Sequence, residues 1–200
     1  MTKMGTINKI KHYWNRTRLM LNNDYFTEYL RKQGVKIGEH STVLYPSYVD
    51  GRLPYLVEIG NNVIVSLNVT ILTHDASTAY AGDQVKVGRV IIHDHCFIGA
   101  NSTILCNVKI GPDSIVGAGS VVSRDIPPNT VYAGNPARFV CKTPEFIEKH
   151  RQLGKRVDFL ESKHFEHAYV SENNKNSLRA SLKNTHGYFC ASLPKDTKGN

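Results

Sequence analysis

The sequence predicts an all-β solenoid, on three observations. Aliphatic residues recur at every sixth position: Ile92, Ile98, Ile104, Ile110, Val116 and Val122, preceded by Ile59, Val65 and Ile71 and by Ile37, Val43 and Val49. Four residues further on stands a small or β-branched residue, as at Ser41, Ser47, Val63, Val69, Cys96, Ser102, Val108, Ser114 and Ser120. Gly follows the aliphatic residue at Gly38, Gly60, Gly99, Gly111 and Gly117. Neither the helical period of about 3.6 nor the strand period of about 2 fits. A chain that turns a corner at each repeat does, closing a triangular coil in about eighteen residues. The aliphatic side chain then points into the prism with the small residue beside it, and Gly, Asn and Asp serve the corners.

Residues 1–36 read as a basic, helical N-terminal cap. Asp24–Gln33 offers a cap residue and helix formers, with Gly34 as terminator. Residues 37–142 form the solenoid, whose four to five coils, spaced by about 4.8 Å, make a rod of roughly 20–25 Å. Its period breaks twice. The phase shifts by three residues between Ile71 and Ile92, so loop 76–89 (ASTAYAGDQVKVGR) must leave the coil, and a smaller excursion spans Asp50–Leu56. Loops on a rigid scaffold are where binding and chemistry concentrate. Thr143-Pro144-Glu145 begins a C-terminal helix within 143–160, with Gly154 as its stop. Both helices suit the open ends of a solenoid, which need covering. The Asn/Lys/Ser-rich tail, 161–200, reads as partly disordered.

Composition narrows the classes. Two hundred residues with 40% hydrophobic content suit one domain. No apolar run reaches membrane-spanning length, and MTKMGTINKIKHYW lacks a signal peptide's apolar segment, so a cytoplasmic location is expected. Cys96, Cys106, Cys141 and Cys190 show no CxxC spacing and read as reduced thiols, Cys96 being a small inward residue. The net charge of +8 is concentrated in residues 1–36, with eight Lys/Arg against two acids, while residues 37–160 carry eleven of each. No basic groove interleaved with aromatics appears, which argues against nucleic acid as a partner.

The motifs lie at the interruptions and at the solenoid's end. Thr73-His74-Asp75-Ala76-Ser77-Thr78 leads into the long loop, and IVGAGSVVSRDIPPNTVYAGNPARF occupies residues 115–139. With ILTHDAST and the long loop, these resemble the hexapeptide-repeat acyltransferases over roughly residues 35–142. The exit segment resembles acetyl-coenzyme A-dependent sugar O-acetyltransferases, and THDAST is similar to acetyltransferases of capsule and O-antigen polysaccharide biosynthesis.

The resemblance implies a left-handed parallel β-helix, a homotrimer with the acyl donor between neighbouring prisms, and acetyl-CoA as cosubstrate with no metal. It makes His74 the general base that takes the proton of a sugar hydroxyl, which suits a neutral imidazole of reference pKa near 6.5. Asp75 is a candidate orienter of the ring. Ala100 matches a site beside the thioester and pantetheine arm, Ala118 lines the pantetheine, and Ser123-Arg124 stands where Thr-Lys is usual. Arg138 matches the residue that reaches the coenzyme's phosphates, with Lys142 a second candidate. Asp50 roughly matches an acidic acceptor ligand. The acceptor-site Asn of the galactoside and maltose branch has no counterpart in LYPSYVDGRLPY, which argues against a simple galactoside. Phe97 replaces a frequent Trp, and Asn68 and Asn107 read as corner residues.

Other readings stay open. An amino-sugar nitrogen or a xenobiotic is an alternative acceptor, and a scaffold that only presents surfaces is another. A zinc carbonic anhydrase on the same fold would use His74, His93 and His95, but its GHIGH pattern is met by Cys96-Phe97-Ile98-Gly99-Ala100, with Phe97 and Ala100 in place of the two histidines. The N-terminal cations Lys3, Lys9, Lys11, Arg16 and Arg18, interleaved with Ile7, Ile10, Tyr13, Trp14 and Leu19, suit either an end cap or peripheral contact with an anionic membrane where lipid-linked intermediates are made.

Overall fold

A computed structural model of the chain describes residues 22–154, 159–160, 172–184, 186 and 188–189. The N-terminal basic segment lies outside the described residues, and with it the choice between end cap and membrane contact. The chain divides into two compact units, Met1–Thr143 and Pro144–Asn200.

The first unit opens with helix α1 (Asn23–Lys32). It begins one residue before the expected start because Asn22 caps it, its side-chain oxygen accepting from the Asp24 and Tyr25 N–H groups. Gly34, at φ +104°, ends it. Phe26 and Leu30 are buried in the same core cluster as Val35 and Val43. Thr27 Oγ1 accepts from Val43 N at 3.0 Å and ties the helix to the first coil.

Four coils follow. The first comprises β1 (Lys36–Ile37), β2 (Thr42–Val43) and β3 (Tyr48–Val49); the second β4 (Val57–Ile59), β5 (Ile64–Val65) and β6 (Thr70–Ile71). The hairpin β7 (His74–Asp75) and β8 (Lys86–Val87) then projects before the chain rejoins the prism. The third coil is β9 (Val90–Ile92), β10 (Phe97–Ile98) and β11 (Thr103–Ile104); the fourth is β12 (Val108–Ile110), β13 (Ile115–Val116) and β14 (Val121–Val122). β15 (Thr130–Ala133) continues the second sheet in parallel, and β16 (Arg138–Lys142) closes it antiparallel.

Three parallel sheets result, β1-β4-β9-β12, β2-β5-β10-β13-β15 and β3-β6-β11-β14. Their registers place Val43, Val65, Ile98 and Val116 above one another, and likewise Val49, Ile71, Ile104 and Val122. The buried inward serines form hydrogen bonds to backbone, as Ser41 Oγ does to Gly60 O at 2.6 Å and Ser114 Oγ to Pro127 O at 3.0 Å. Cys96 fills the same kind of position, and burial pushes its thiol up to about 11, which leaves it protonated and inert.

One corner is turned by His40, Asn62, His95, Asp113 and Asn129, all left-handed with φ between +55° and +57°. Asn68 and Asn107 are likewise left-handed. Gly99 serves a different purpose from the corner role expected of it. A Cβ there would stand 2.4 Å from Ala118 N in the next coil, so close approach of coils requires the glycine.

Ile104 is fully buried between Ile71 and Val122. Ile104→Ala is expected to cost about 3 kcal/mol. Thermal denaturation should show Tm lower by roughly 6–12 °C.

Helix α2 covers Thr143–Gly154. Within the second unit, β17 (Phe159–Leu160) pairs in parallel with β18 (Tyr188–Phe189), and helix α3 covers Glu172–Ser181. The i,i+3 pair Lys175–Glu172 supports helix α3. Among the described residues no helix is long and apolar enough to cross a membrane.

Candidate active site

The site is built where the third sheet ends. β3 and β6 are neighbours with Val49 opposite Ile71, and Asp50 N donates to Ile71 O at 2.9 Å. Asp50 follows β3 and Thr73-His74 follows β6, so stacking of the coils brings them together across 24 positions of sequence. Asp50 is fully buried. Its Oδ2 accepts from Thr73 N at 3.1 Å, from Thr73 Oγ1 at 2.8 Å and from His74 Nδ1. Its Oδ1 accepts from Arg52 N at 3.1 Å. Burial pushes the Asp50 carboxyl up, but the hydrogen bonds from Thr73, His74 and the Arg52 and Thr73 backbone outweigh it, leaving a pKa of about 2 against an ordinary 3.8.

An ionised carboxylate is an acceptor only, so the neutral His74 ring must carry its proton on Nδ1. Nε2 is left with a lone pair and has no hydrogen-bond partner among the described residues. The imidazole is partly exposed. A base fixed in one tautomer, anchored by a buried anion and open on its other nitrogen, is equipped to take a proton from a bound hydroxyl.

The roles expected of the two carboxylates are corrected here. Asp50, expected as an acceptor ligand, has both oxygens engaged and no surface to offer, and it is Asp50 that holds the ring. Asp75 is turned away. Its Oδ1 accepts from Ser77 N at 3.0 Å and Ser77 Oγ at 2.6 Å, capping the 3-10 turn Ala76–Ala81. Those bonds, the Ser77 hydroxyl first, lower the Asp75 carboxyl from its ordinary range. The physical reason is that adjacent residues of an extended strand point to opposite faces.

Loop 76–89 is a structured hairpin. His74 pairs with Val87 and Asp75 with Lys86, and Gly88 N donates to Thr73 O at 2.9 Å. Thr78 Oγ1 accepts from Lys86 N at 2.8 Å, closing the loop from within. The chain therefore leaves and returns beside His74.

Ser123, Arg124 and Arg138 line one cavity of about 370 Å³ with Asp125, Ile126, Tyr132, Ala137 and Phe139. Ser123 follows β14 as Asp50 follows β3 and Leu72 follows β6. Cavity and dyad therefore share one edge of the third sheet, with β6 and β14 two coils, or about 10 Å, apart. Ala100 and Ala118 stand on adjacent coils, where Gly119 N donates to Ala100 O at 2.8 Å, and Ala118 is exposed. Lys142 does not line this cavity; it is at the far end of β16 from Arg138, about 13 Å along the strand. His74, His93 and His95 do not converge: His95 Nε2 lies 3.2 Å from Asn62 Nδ2 and its Nδ1 3.5 Å from Asp113 Oδ1. Among the described residues no group of three His, Cys, Asp or Glu side chains is placed to hold a metal ion.

Comparison with known proteins bears on this arrangement. Residues 89–124 match the family model for bacterial transferase hexapeptide (six repeats). The chain is 32% identical to protein CapG of Staphylococcus aureus over 142 residues, 67% of this chain and 83% of CapG. It is 36% identical to the galactoside O-acetyltransferase of Lactococcus lactis subsp. lactis (strain IL1403) over 108 residues, 52% of this chain and 51% of that enzyme. Over three of its curated relatives, that enzyme included, the match spans only 44% to 64% of their length. Among solved structures, a galactoside acetyltransferase in complex with coenzyme A superposes with a TM-score of 0.51 at 21% identity, covering 86% of this chain and 92% of that one. That likeness concerns the fold, which is the left-handed parallel β-helix. The repeat, the near-complete coverage of CapG and the shared fold agree: the chain belongs to the hexapeptide-repeat transferase family.

Proposed function

We propose that this protein is an acetyl-CoA-dependent O-acetyltransferase acting on a sugar hydroxyl, in surface polysaccharide biosynthesis. The observation that carries the reading is the His74–Asp50 dyad, open at Nε2 on the same edge as the Arg124–Arg138 cavity. The O-acetyltransferase relative from Lactococcus lactis, a galactoside enzyme by name, supports the reaction class, and a solved relative of this fold is in complex with coenzyme A.

His74 Nε2 accepts the hydroxyl proton as the sugar oxygen bonds to the acetyl carbonyl carbon. The carbon–sulfur bond then breaks, and the imidazolium returns the proton to the leaving thiolate. Arg124 and Arg138 supply cations for the donor's phosphates, a pairing suited to planar guanidinium groups. Ala118 leaves the backbone accessible to the pantetheine arm.

Assembly as a homotrimer belongs to the same proposal. Tyr48, Leu67 and Phe97 are exposed apolar residues around the corner between the second and third sheets, a surface suited to a neighbouring prism. An acetyl-transfer screen across free sugars, nucleotide sugars and polysaccharide repeat units, read as thiol release, is expected to find an O-acetylated product. Light scattering is expected to give three times the 22.4 kDa chain mass. Coenzyme A binding with no transfer to any sugar would remove the sugar reading, and an active monomer would remove the trimer.

A further inference from the structure

We infer that the acceptor carries a negative charge and that Arg52 binds it. The inference rests on the acetyltransferase reading above and deepens it by naming the class of acceptor.

Arg31, Arg89, Arg138, Arg151 and Arg179 each donate a side-chain hydrogen bond to a protein oxygen. Among the described arginines, only Arg52 and Arg124 donate none. Arg124 lines the cavity assigned to the donor's phosphates. Arg52 is exposed and stands at the dyad. Its backbone N–H and the His74 ring occupy the two oxygens of one buried carboxylate.

The segment is built to keep it there. Asp50–Leu56 is the excursion that breaks the hexad period, and nothing in the solenoid core requires it. The Asp50–Arg52 bond fixes its start, and the turn Pro54–Leu56, with Leu56 N donating to Leu53 O at 3.0 Å, fixes its end. The excursion thus fixes the Arg52 backbone at the carboxylate that anchors the base, and its exposed guanidinium has no protein partner among the described residues. Such a group forms paired, charge-assisted hydrogen bonds to a carboxylate or a phosphate.

The surrounding charges permit this. Asp50 is an anion, but it is buried behind His74 and held by four hydrogen bonds. Asp75 is bonded to Ser77 and faces the Lys86 cation across the hairpin. Arg52 is the cation that the excursion itself contributes on the Asp50 side of the dyad.

A carboxylate on the sugar ring and a phosphate attached to it share this chemistry, and paired acceptors separate them. The full-length protein is assayed with a hexuronic acid against its parent hexose, and with a nucleoside diphosphate hexose against the same hexose. One charged acceptor is expected to have a KM at least tenfold below its neutral parent. The pair in which this occurs identifies the anion. Arg52→Gln is expected to abolish the difference by raising the charged acceptor's KM at least tenfold, with kcat and the KM for acetyl-CoA within twofold. Arg52→Lys should restore part of the loss. Neutral parents used as well as charged acceptors, or a KM increase below tenfold in Arg52→Gln, would overturn the inference and leave the O-acetyltransferase reading standing. Failure to transfer to any sugar, with coenzyme A still bound, would overturn both.

Discussion

His74→Ala is expected to lower turnover at least a hundredfold while acetyl-CoA binding stays nearly intact. General-base catalysis is typically worth about two to four orders of magnitude. The substitution removes the one group of the site that presents an unbonded ring nitrogen beside the hairpin mouth. It leaves Ser123, Arg124 and Arg138, two coils away, untouched. The loss should therefore appear in kcat, with the coenzyme A dissociation constant within a few-fold of wild type. The measurement is steady-state transfer together with calorimetric titration of coenzyme A. A variant keeping more than a tenth of wild-type turnover on the true acceptor would take the base role away from His74.

Asp50→Asn should be nearly as damaging, for a different reason. The carboxylate is all acceptor, and four donors converge on it. An amide cannot satisfy them. With its NH2 toward the ring it forces Nδ1 to accept, which moves the proton to Nε2 and blocks the base. With its oxygen toward the ring, its NH2 faces the Arg52 N–H, donor against donor. Turnover is expected to fall by about two to four orders of magnitude, as when the carboxylate of a Ser-His-Asp triad is made an amide.

The same residue links stability to pH. Its folded pKa of about 2 lies below the ordinary 3.8, so its contribution is fully present above the unfolded value. It is lost as pH falls from about 4 to about 2. Wild type should therefore exceed Asp50→Asn by about 2 kcal/mol at pH 7, with the gap narrowing steadily below pH 4. Urea unfolding of both proteins at pH 7 and pH 3 measures it. A gap that stays constant over that range would mean the native hydrogen bonds do not favour the ionised form.

Much of this protein was legible in its sequence because solenoid burial is periodic and local. Each coil repeats one pattern, so Ile98 and Ile104 declare their place in the core without knowledge of any distant residue. The corners were legible for the same reason at Asn68 and Asn107, where a left-handed backbone favours a short polar side chain. His40 and His95 turn the same kind of corner and gave no such signal. His74 was found through its motif and through the phase shift that announces a projecting loop.

The partner of His74 could not be read the same way. Sequence adjacency favours Asp75, whereas the fold selects Asp50, because parallel stacking sets who meets whom and strand geometry turns neighbours apart. The excursion after Asp50 hides that register, since an insertion inside a coil shifts every count that follows it. Arg52 gained its meaning only from the structure as well, where its backbone N–H is bound to Asp50 and its side chain has no protein partner among the described residues. The hexad period decided which side chains are inside; which charges face one another, and which stay free for a ligand, was decided by how the coils stack.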